Sequence, residues 1–197
     1  MTVQFYHNPQ SRAALTHWLL EELGIDYEIK PVAYDDGSMR TPEFLAINPM
    51  GKIPVIVDGD TIVTETSAIA IYLCDKYKTP NDLAPGLNDP RRGEYLRWVV
   101  YQSAAIDPAM MQANTKVEIA RQSAGWGSVE LVVDVLEDRV SKANPYLFGE
   151  WFTAADVLIG GALGWATQFG MFPAKPGIKA YVERVQSRPA FQKVFAG

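Results

Sequence analysis

The chain has 197 residues and a formal net charge of −5, from 18 basic and 23 acidic side chains. This mildly acidic balance argues against a nucleic-acid-binding surface as the main function, because such surfaces are basic. The single cysteine, Cys74, excludes an internal disulfide, a Cys-x-x-Cys redox pair and a zinc site made of thiolates. Two isolated histidines do not make a metal site either, so we expect no bound metal.

The first part of the chain predicts a small α/β domain. Its runs follow the order strand–helix–strand and then strand–strand–helix, which is typical of a split sheet with helices packed on it. Ser11 is a favourable N-cap for the first helix, and an Asp-Gly pair between two apolar runs indicates a hairpin. The predicted strands are residues 3–6, 27–32, 54–57 and 61–63, and the predicted helices are residues 11–23 and 65–77.

Helices dominate the remainder of the chain. Residues 79–88 are rich in turn-forming residues and predict a linker, so the expected domains are residues 1–78 and 89–197. Pro108 is expected to interrupt the first of these helices, and Thr153 with Asp156 matches a capping box. The predicted helices are residues 89–107, 110–121, 128–143, 157–169 and 177–186.

Targeting and membrane segments are not apparent in the sequence. The first six residues lack a basic start followed by an apolar run. The longest apolar stretch, residues 157–172, contains Gln168 and several glycines and is short for a membrane span. We therefore expect a cytoplasmic protein that does not enter a membrane.

Four segments, taken in order, resemble the glutathione transferase superfamily. They are YHNPQSRA at residues 6–13, NPMGKIPV at 48–55, ETSAI at 65–69 and FTAAD at 152–156. The resemblance implies a glutathione transferase-like fold, with a thioredoxin-like α/β N-terminal domain and an all-α C-terminal helical bundle. It also implies an enzyme that uses glutathione as its co-substrate.

In this family the residue before a cis-proline holds the backbone of glutathione, as an added strand would. The resemblance places Ile53 and Pro54 in these positions and predicts that the bond between them is cis. From the residues alone, an ordinary trans proline at the start of an edge strand is the alternative.

The charged ends of glutathione need partners as well. By resemblance, Thr66 at a helix start would hold the γ-glutamyl carboxylate, Glu65 would meet the ammonium group, and Lys52 would reach the glycyl carboxylate. Arg12 would orient the loop beside them. The alternatives are a plain helix cap at Thr66, an exposed loop lysine at Lys52 and a simple ion pair at Arg12.

Catalysis requires the glutathione thiol to ionise. Its ordinary pKa is about 8.5, and lowering it by about two units needs about 2.7 kcal/mol of differential stabilisation. The family supplies a donor near the first helix, and this chain offers Ser11, Tyr6 and Asn8, which we rank in that order. A helix cap at Ser11 and a half-buried strand aromatic at Tyr6 are the alternatives. No cysteine lies near Ser11, which argues against the disulfide-reductase branch of the family.

The resemblance therefore implies a homodimeric transferase that conjugates the glutathione thiolate to hydrophobic electrophiles. A glutathione-dependent isomerase, dehalogenase or peroxidase, and a non-catalytic glutathione-fold binding module, are the alternatives. The acceptor is expected in a cleft between the domains. The candidate lining residues are Tyr95, Trp98, Tyr101, Met110, Met111, Trp126, Trp165 and Phe169.

Overall fold

Residues 2–195 are described by a computed structural model, in which the chain divides into two units, Met1–Asp82 and Leu83–Gly197. The first unit is built on a four-stranded sheet with the strand order β2-β1-β3-β4. β1 runs parallel to β2 and antiparallel to β3, and β3 is antiparallel to β4. The elements are β1 (Val3–His7), α1 (Ala13–Leu23), β2 (Tyr27–Pro31), a 3-10 turn (Ser38–Arg40), α2 (Pro42–Ile47), β3 (Val55–Asp58), β4 (Thr61–Thr64) and α3 (Thr66–Lys76).

The central strand β1 alternates between two environments. Val3, Phe5 and His7 are buried, whereas Gln4 and Tyr6 are half-buried. Because neighbouring side chains in a strand point to opposite faces, these two sets lie on opposite sides of the sheet. The buried set faces α1, since the rings of Phe5 and His7 both contact His17 of that helix. Tyr6 therefore lies on the other face.

Asp58 fastens the predicted hairpin to α3. Its Oδ2 atom accepts hydrogen bonds from Tyr72 Oη at 3.0 Å, Lys76 Nζ at 2.6 Å and Tyr77 Oη at 2.8 Å. Burial alone would raise the pKa of the Asp58 carboxyl, but these hydrogen bonds outweigh it and hold the pKa below its usual value. The Asp-Gly turn between β3 and β4 was predicted, whereas its attachment to α3 was not.

The second unit is helical. One continuous helical path runs from Arg92 to Thr115, with a single π-helical turn, Gln102–Ile106, inside it. The elements are α4 (Arg92–Tyr101), α5 (Asp107–Thr115), α6 (Val129–Ser141), α7 (Ala154–Gln168), α8 (Pro176–Gln186) and α9 (Pro189–Phe195).

The prediction that Pro108 interrupts its helix is wrong. A proline has no backbone N–H to donate, and here the turn before it widens, so that the Asp107 N–H bonds to Gln102 O five residues back. The prediction of a helix over residues 110–121 is also wrong at its end. Lys116, with φ 56°, ends α5, and the following residues up to Ser128 are irregular.

The capping box of α7 is confirmed. Thr153 and Asp156 exchange the two reciprocal hydrogen bonds of the motif, and both residues are fully buried. The Asp156 carboxylate also accepts hydrogen bonds from Leu147 N at 2.8 Å and Tyr181 Oη at 2.9 Å, so it joins α7 to a preceding loop and to α8.

The predicted fold class is confirmed by the mixed sheet with its helices and by the helical second unit. Within residues 2–195, none of the helices combines the length and the apolar character that crossing a membrane requires.

Candidate active site

The sheet brings three of the four motif segments to one end. Tyr6 of β1 is paired with Val55 of β3, and Val55 is paired with Thr64 of β4. β3 runs antiparallel to both of its neighbours, so the residues after β1, before β3 and after β4 leave the sheet on the same side. These residues are the loop that contains Ser11, the Ile53–Pro54 segment and the Glu65–Thr66 segment.

Ser11 and Asn8 are held together in the loop after β1. Ser11 Oγ donates to Asn8 O at 2.7 Å and accepts from the Ala13 N–H at 3.0 Å. The hydroxyl thus satisfies the backbone N–H of Ala13, the first residue of α1. The prediction that Ser11 is the N-cap is wrong by one residue, because Arg12 occupies that position and makes no side-chain capping bond. Arg12, which lies between Ser11 and Ala13, is exposed.

Asn8 has both ends of its side-chain amide bonded to the backbone. Its Nδ2 donates to Val32 O at 2.8 Å, and its Oδ1 accepts from the Gln10 N–H at 2.9 Å. Val32 lies 24 residues further along the chain, just after β2. No local sequence pattern indicated this connection.

Tyr6 packs against an apolar cluster. Its ring contacts Phe44 of α2 edge-on, with the ring centroids 5.7 Å apart, and Phe44 is buried together with Val32 and Val55. Ile53 packs against the same cluster. The structure therefore packs the Tyr6 ring on this cluster, and it brings Tyr6 and Ile53 to the same group of side chains.

The loop before β3 is organised by its own residues. Asn48, almost fully buried, donates from Nδ2 to Lys52 O at 2.7 Å and accepts at Oδ1 from the Met50 N–H at 3.1 Å. Gly51 has φ 61°, and a Cβ there would lie 2.8 Å from Met39 O. The Ile53–Pro54 bond is cis, as predicted. Asn48 and Gly51 were not predicted as site residues, although both belong to the motif.

The start of α3 is the third part of the site. Glu65 precedes the helix with φ 67° and ψ 123°, and its side chain is exposed. This conformation is rare for a residue other than glycine. Thr66 and Ser67 follow in the first helical turn, and both are 7% exposed. Lys52 has an exposed side chain on the neighbouring loop.

The two histidines lie beside this site on the opposite face of the sheet from Tyr6. Burial, and then the proximity of His17, lower the pKa of His7 to about 4. The ring of His7 packs 4.9 Å from the ring of His17, centroid to centroid. With a pKa of about 4, the His7 ring is a far weaker base than the thiolate of a thiol whose ordinary pKa is about 8.5, so it is a poor acceptor for the thiol proton. Packing against His17 is the role that the structure shows for it.

The candidate acceptor residues fall into three groups. Tyr95, Trp98 and Met110 are buried in the core of the second unit, while Met111, Trp165 and Phe169 are exposed. Tyr101 and Trp126 are half-buried. Trp126 lines an open cavity of about 430 Å³, and the other lining residues are Arg121, Gln122, Ala124, Gly125, Gly127 and Leu131.

Known families match both parts of the chain. A family model for the glutathione S-transferase N-terminal domain matches residues 1–75, and one for the C-terminal domain matches residues 106–189. The chain is 32% identical to glutathione S-transferase 3 of Zea mays over 193 residues, which covers 90% of this chain and 86% of that protein. It is 30% identical to human glutathione S-transferase theta-2, with 83% of this chain and 72% of the relative covered.

Solved structures agree with these matches. A glutathione transferase from Methylococcus capsulatus superimposes with a TM-score of 0.83 at 28% identity, covering 98% of this chain and 97% of the other. A glutathione transferase homologue from Lodderomyces elongisporus, solved with two glutathione molecules per subunit, gives a TM-score of 0.80 at 25% identity and covers 100% of this chain and 98% of its own.

Proposed function

Since the chain belongs to the glutathione S-transferase family, we propose that its glutathione site is the end of the sheet where the segments with Ser11, Ile53 and Glu65 leave the strands. The enzyme is a transferase with glutathione as co-substrate. The sheet register carries this placement, because Tyr6, Val55 and Thr64 lie side by side and the three motif segments follow from them.

Ile53 and its cis bond to Pro54 present a strand start to the glutathione backbone, which pairs with Ile53 as an added strand would. The γ-glutamyl carboxylate binds the first turn of α3 at Thr66, where backbone N–H groups and a hydroxyl converge. Glu65 meets the ammonium group, and Lys52 meets the glycyl carboxylate. Arg12, whose side chain is exposed, orients the loop after β1.

Ser11 is the donor to the thiolate. Its Oγ accepts a hydrogen bond from the Ala13 N–H, which fixes its position. Its hydroxyl proton is donated to the neutral carbonyl oxygen of Asn8, and a thiolate can replace that carbonyl as the acceptor. Tyr6 is the weaker candidate because its ring is packed against Phe44. Asn8 is weaker still as a donor, since its amide is bonded to the backbone at both ends.

The reaction is a nucleophilic substitution. The thiol proton leaves to solvent, the thiolate sulfur forms a bond to an electrophilic carbon, and the leaving group, such as a halide, departs with its bonding electrons. We propose hydrophobic electrophiles as acceptors and a homodimer as the assembly, with residues 1–78 as the glutathione-binding domain and 89–197 as the helical domain. Light scattering during size-exclusion chromatography measures the assembly.

The test compares the wild-type enzyme with Ser11→Ala and Tyr6→Phe. We expect the wild type to be retained on immobilised glutathione and to conjugate an aryl halide. We expect Ser11→Ala to lose about tenfold or more in kcat/KM near pH 7, which corresponds to about 1.4 kcal/mol or more, while Tyr6→Phe stays close to wild type. A wild type that neither binds nor conjugates would refute the site, and an inactive Tyr6→Phe beside an active Ser11→Ala would transfer the donor role to Tyr6.

A further inference from the structure

We propose that Asn8 is a positioning residue for thiol activation: its side-chain amide fastens the loop after β1 to the end of β2 and thereby holds the Ser11 hydroxyl in place. This inference rests on the proposed function, in which Ser11 is the donor. It replaces the direct contact with the thiol that the sequence suggested for Asn8.

The side chain of Asn8 is anchored to the backbone just after β2. Asn8 Nδ2 donates to Val32 O at 2.8 Å, and the Val32 N–H donates to His7 O at 2.9 Å. Val32 itself is buried in the cluster with Phe44 and Val55. The partner of the Asn8 amide is therefore a backbone group that the apolar core holds still.

The backbone of Asn8 is linked to the Ser11 side chain by a hydrogen bond. The backbone oxygen of Asn8 accepts the Ser11 hydroxyl at 2.7 Å, and Ser11 Oγ accepts the Ala13 N–H at 3.0 Å. These two hydrogen bonds define the position of Oγ between the anchored loop and the start of α1. If the hydrogen bond from the Asn8 side chain to Val32 O is lost, the backbone carbonyl of Asn8, which orients the Ser11 hydroxyl, becomes free to move.

This arrangement of the Ser11 hydroxyl favours the thiolate over the neutral thiol. The Ser11 hydroxyl has one proton, and in this structure Asn8 O accepts it. A neutral thiol is a weak acceptor and does not compete with a carbonyl, whereas a thiolate forms a stronger, charge-assisted hydrogen bond. The proton therefore turns toward the sulfur only after the thiol ionises, while Oγ stays bonded to Ala13. Because this hydrogen bond stabilises the thiolate more than the neutral thiol, it lowers the pKa of the bound thiol.

The test measures the pKa of enzyme-bound glutathione, from the ultraviolet absorbance of the thiolate and from the pH profile of kcat/KM with an aryl halide. The variant Asn8→Ser keeps a hydroxyl that can accept the Gln10 N–H but is too short to reach Val32 O. We expect it to raise the thiol pKa by about one unit, which reduces the thiolate fraction about tenfold at pH values well below the pKa. Retention on immobilised glutathione should persist, which also reports that the variant folds.

Asn81→Ala is the matched control. Asn81 also uses its side-chain amide to bind a backbone carbonyl within the first unit, Glu22 O at 3.1 Å, but it belongs to none of the site segments. We expect no change in its thiol pKa. An equal shift in Asn81→Ala would mean that general loosening of the unit causes the effect, and it would overturn the positioning role.

A double variant separates positioning from direct contact. If Asn8 acts only through Ser11, adding Asn8→Ser to Ser11→Ala leaves the thiol pKa where Ser11→Ala alone put it. A further rise in the double variant would show that Asn8 touches the thiol itself and would overturn the proposal. An unchanged pKa in Asn8→Ser beside a raised pKa in Ser11→Ala would refute the positioning role alone. An unchanged pKa in Ser11→Ala would refute the proposed donor, and the role of Asn8 with it.

Discussion

Glu65 is held in a backbone conformation that costs free energy. With φ 67° and ψ 123° it lies where residues other than glycine pay about 1–3 kcal/mol. Its carbonyl oxygen accepts the Ile69 N–H, so the residue closes the first turn of α3. A side chain at this point of the chain gains little from packing, because Glu65 is exposed. A strained, exposed residue at this point agrees with the role proposed for the Glu65 side chain, contact with the ammonium group of glutathione.

Replacing Glu65 by glycine should separate stability from binding. Glu65→Gly relieves the backbone strain of about 1–3 kcal/mol, but glycine also gives the unfolded chain more freedom, which costs about 0.5–1 kcal/mol. We therefore expect the free energy of unfolding to rise by about 1 kcal/mol. We expect the KM for glutathione to rise about tenfold, which corresponds to about 1.4 kcal/mol of lost binding. Urea unfolding and steady-state kinetics measure the two effects.

Lys116 supplies the matched control for this prediction. It is the other described residue besides glycine with a positive φ, 56°, and it ends α5 outside the site segments. Lys116→Gly should also stabilise the protein, by about 0.5–1 kcal/mol, and leave the KM for glutathione unchanged. If Glu65→Gly keeps the wild-type KM, the side chain has no role in binding.

Gly160 of α7 lies where this helix packs closely on α8, whereas Gly164 faces the movable end of a glutamine side chain. A Cβ at Gly160 would lie 2.5 Å from Val185 Cγ2, and one at Gly164 would lie 2.2 Å from Gln186 Nε2. Gly93 in α4 has nothing within 4 Å of the same point. Replacing glycine by alanine should therefore destabilise the protein at position 160 but not at position 93.

We expect Gly160→Ala to lower the free energy of unfolding by about 1–3 kcal/mol, because it overpacks the contact with α8. Gly93→Ala should leave it unchanged or raise it by up to about 1 kcal/mol, because alanine is the better helix former. Urea unfolding of both variants checks the prediction. Equal destabilisation by both would mean that the close approach of α7 and α8 does not determine the glycine at position 160.

The elements that could be predicted from the sequence are those defined by neighbours along the chain. The capping box of α7 needs only the spacing from Thr153 to Asp156, and the hairpin needs only its Asp-Gly turn. The continuation of the helix through Pro108 could not be predicted. It depends on the π-helical turn at Gln102–Ile106, and the presence of a proline does not indicate such a turn. The bond from Asn8 to Val32 joins residues far apart in sequence, so only the folded sheet reveals it.

The candidate site was predictable in part for the same reason. Ser11, Ile53 and Glu65 were each found in a local motif, and the cis bond before Pro54 followed from the resemblance to a family. Their convergence depends on the order and direction of β1, β3 and β4, which no single motif contains. Tyr6 was ranked as a donor from its position along the chain, but the pleat of β1 turns its ring toward Phe44.

The charge of the molecule is distributed unevenly. Residues 1–80 hold 6 basic and 11 acidic side chains and so carry the entire net charge, while residues 81–197 hold 12 of each. Glutathione has two carboxylates and one ammonium group near pH 7, so the unit that binds it also repels it at long range. A local cation beside the site has to offset this repulsion, and Lys52 is the candidate.

Ionic strength can distinguish the local attraction from the overall repulsion. Raising the salt concentration from about 0.01 M to about 0.15 M shortens the screening length from about 30 Å to about 8 Å. In the wild type, screening weakens both the attraction to Lys52 and the repulsion by the acidic unit, so the KM for glutathione should change little. In Lys52→Ala the attraction to this cation is lost while the repulsion by the acidic unit stays, so the KM should be higher at low salt and fall as salt is added. Parallel salt dependences in the two proteins would show that Lys52 does not offset the field, because removing it would then leave the electrostatic balance at the site as it was.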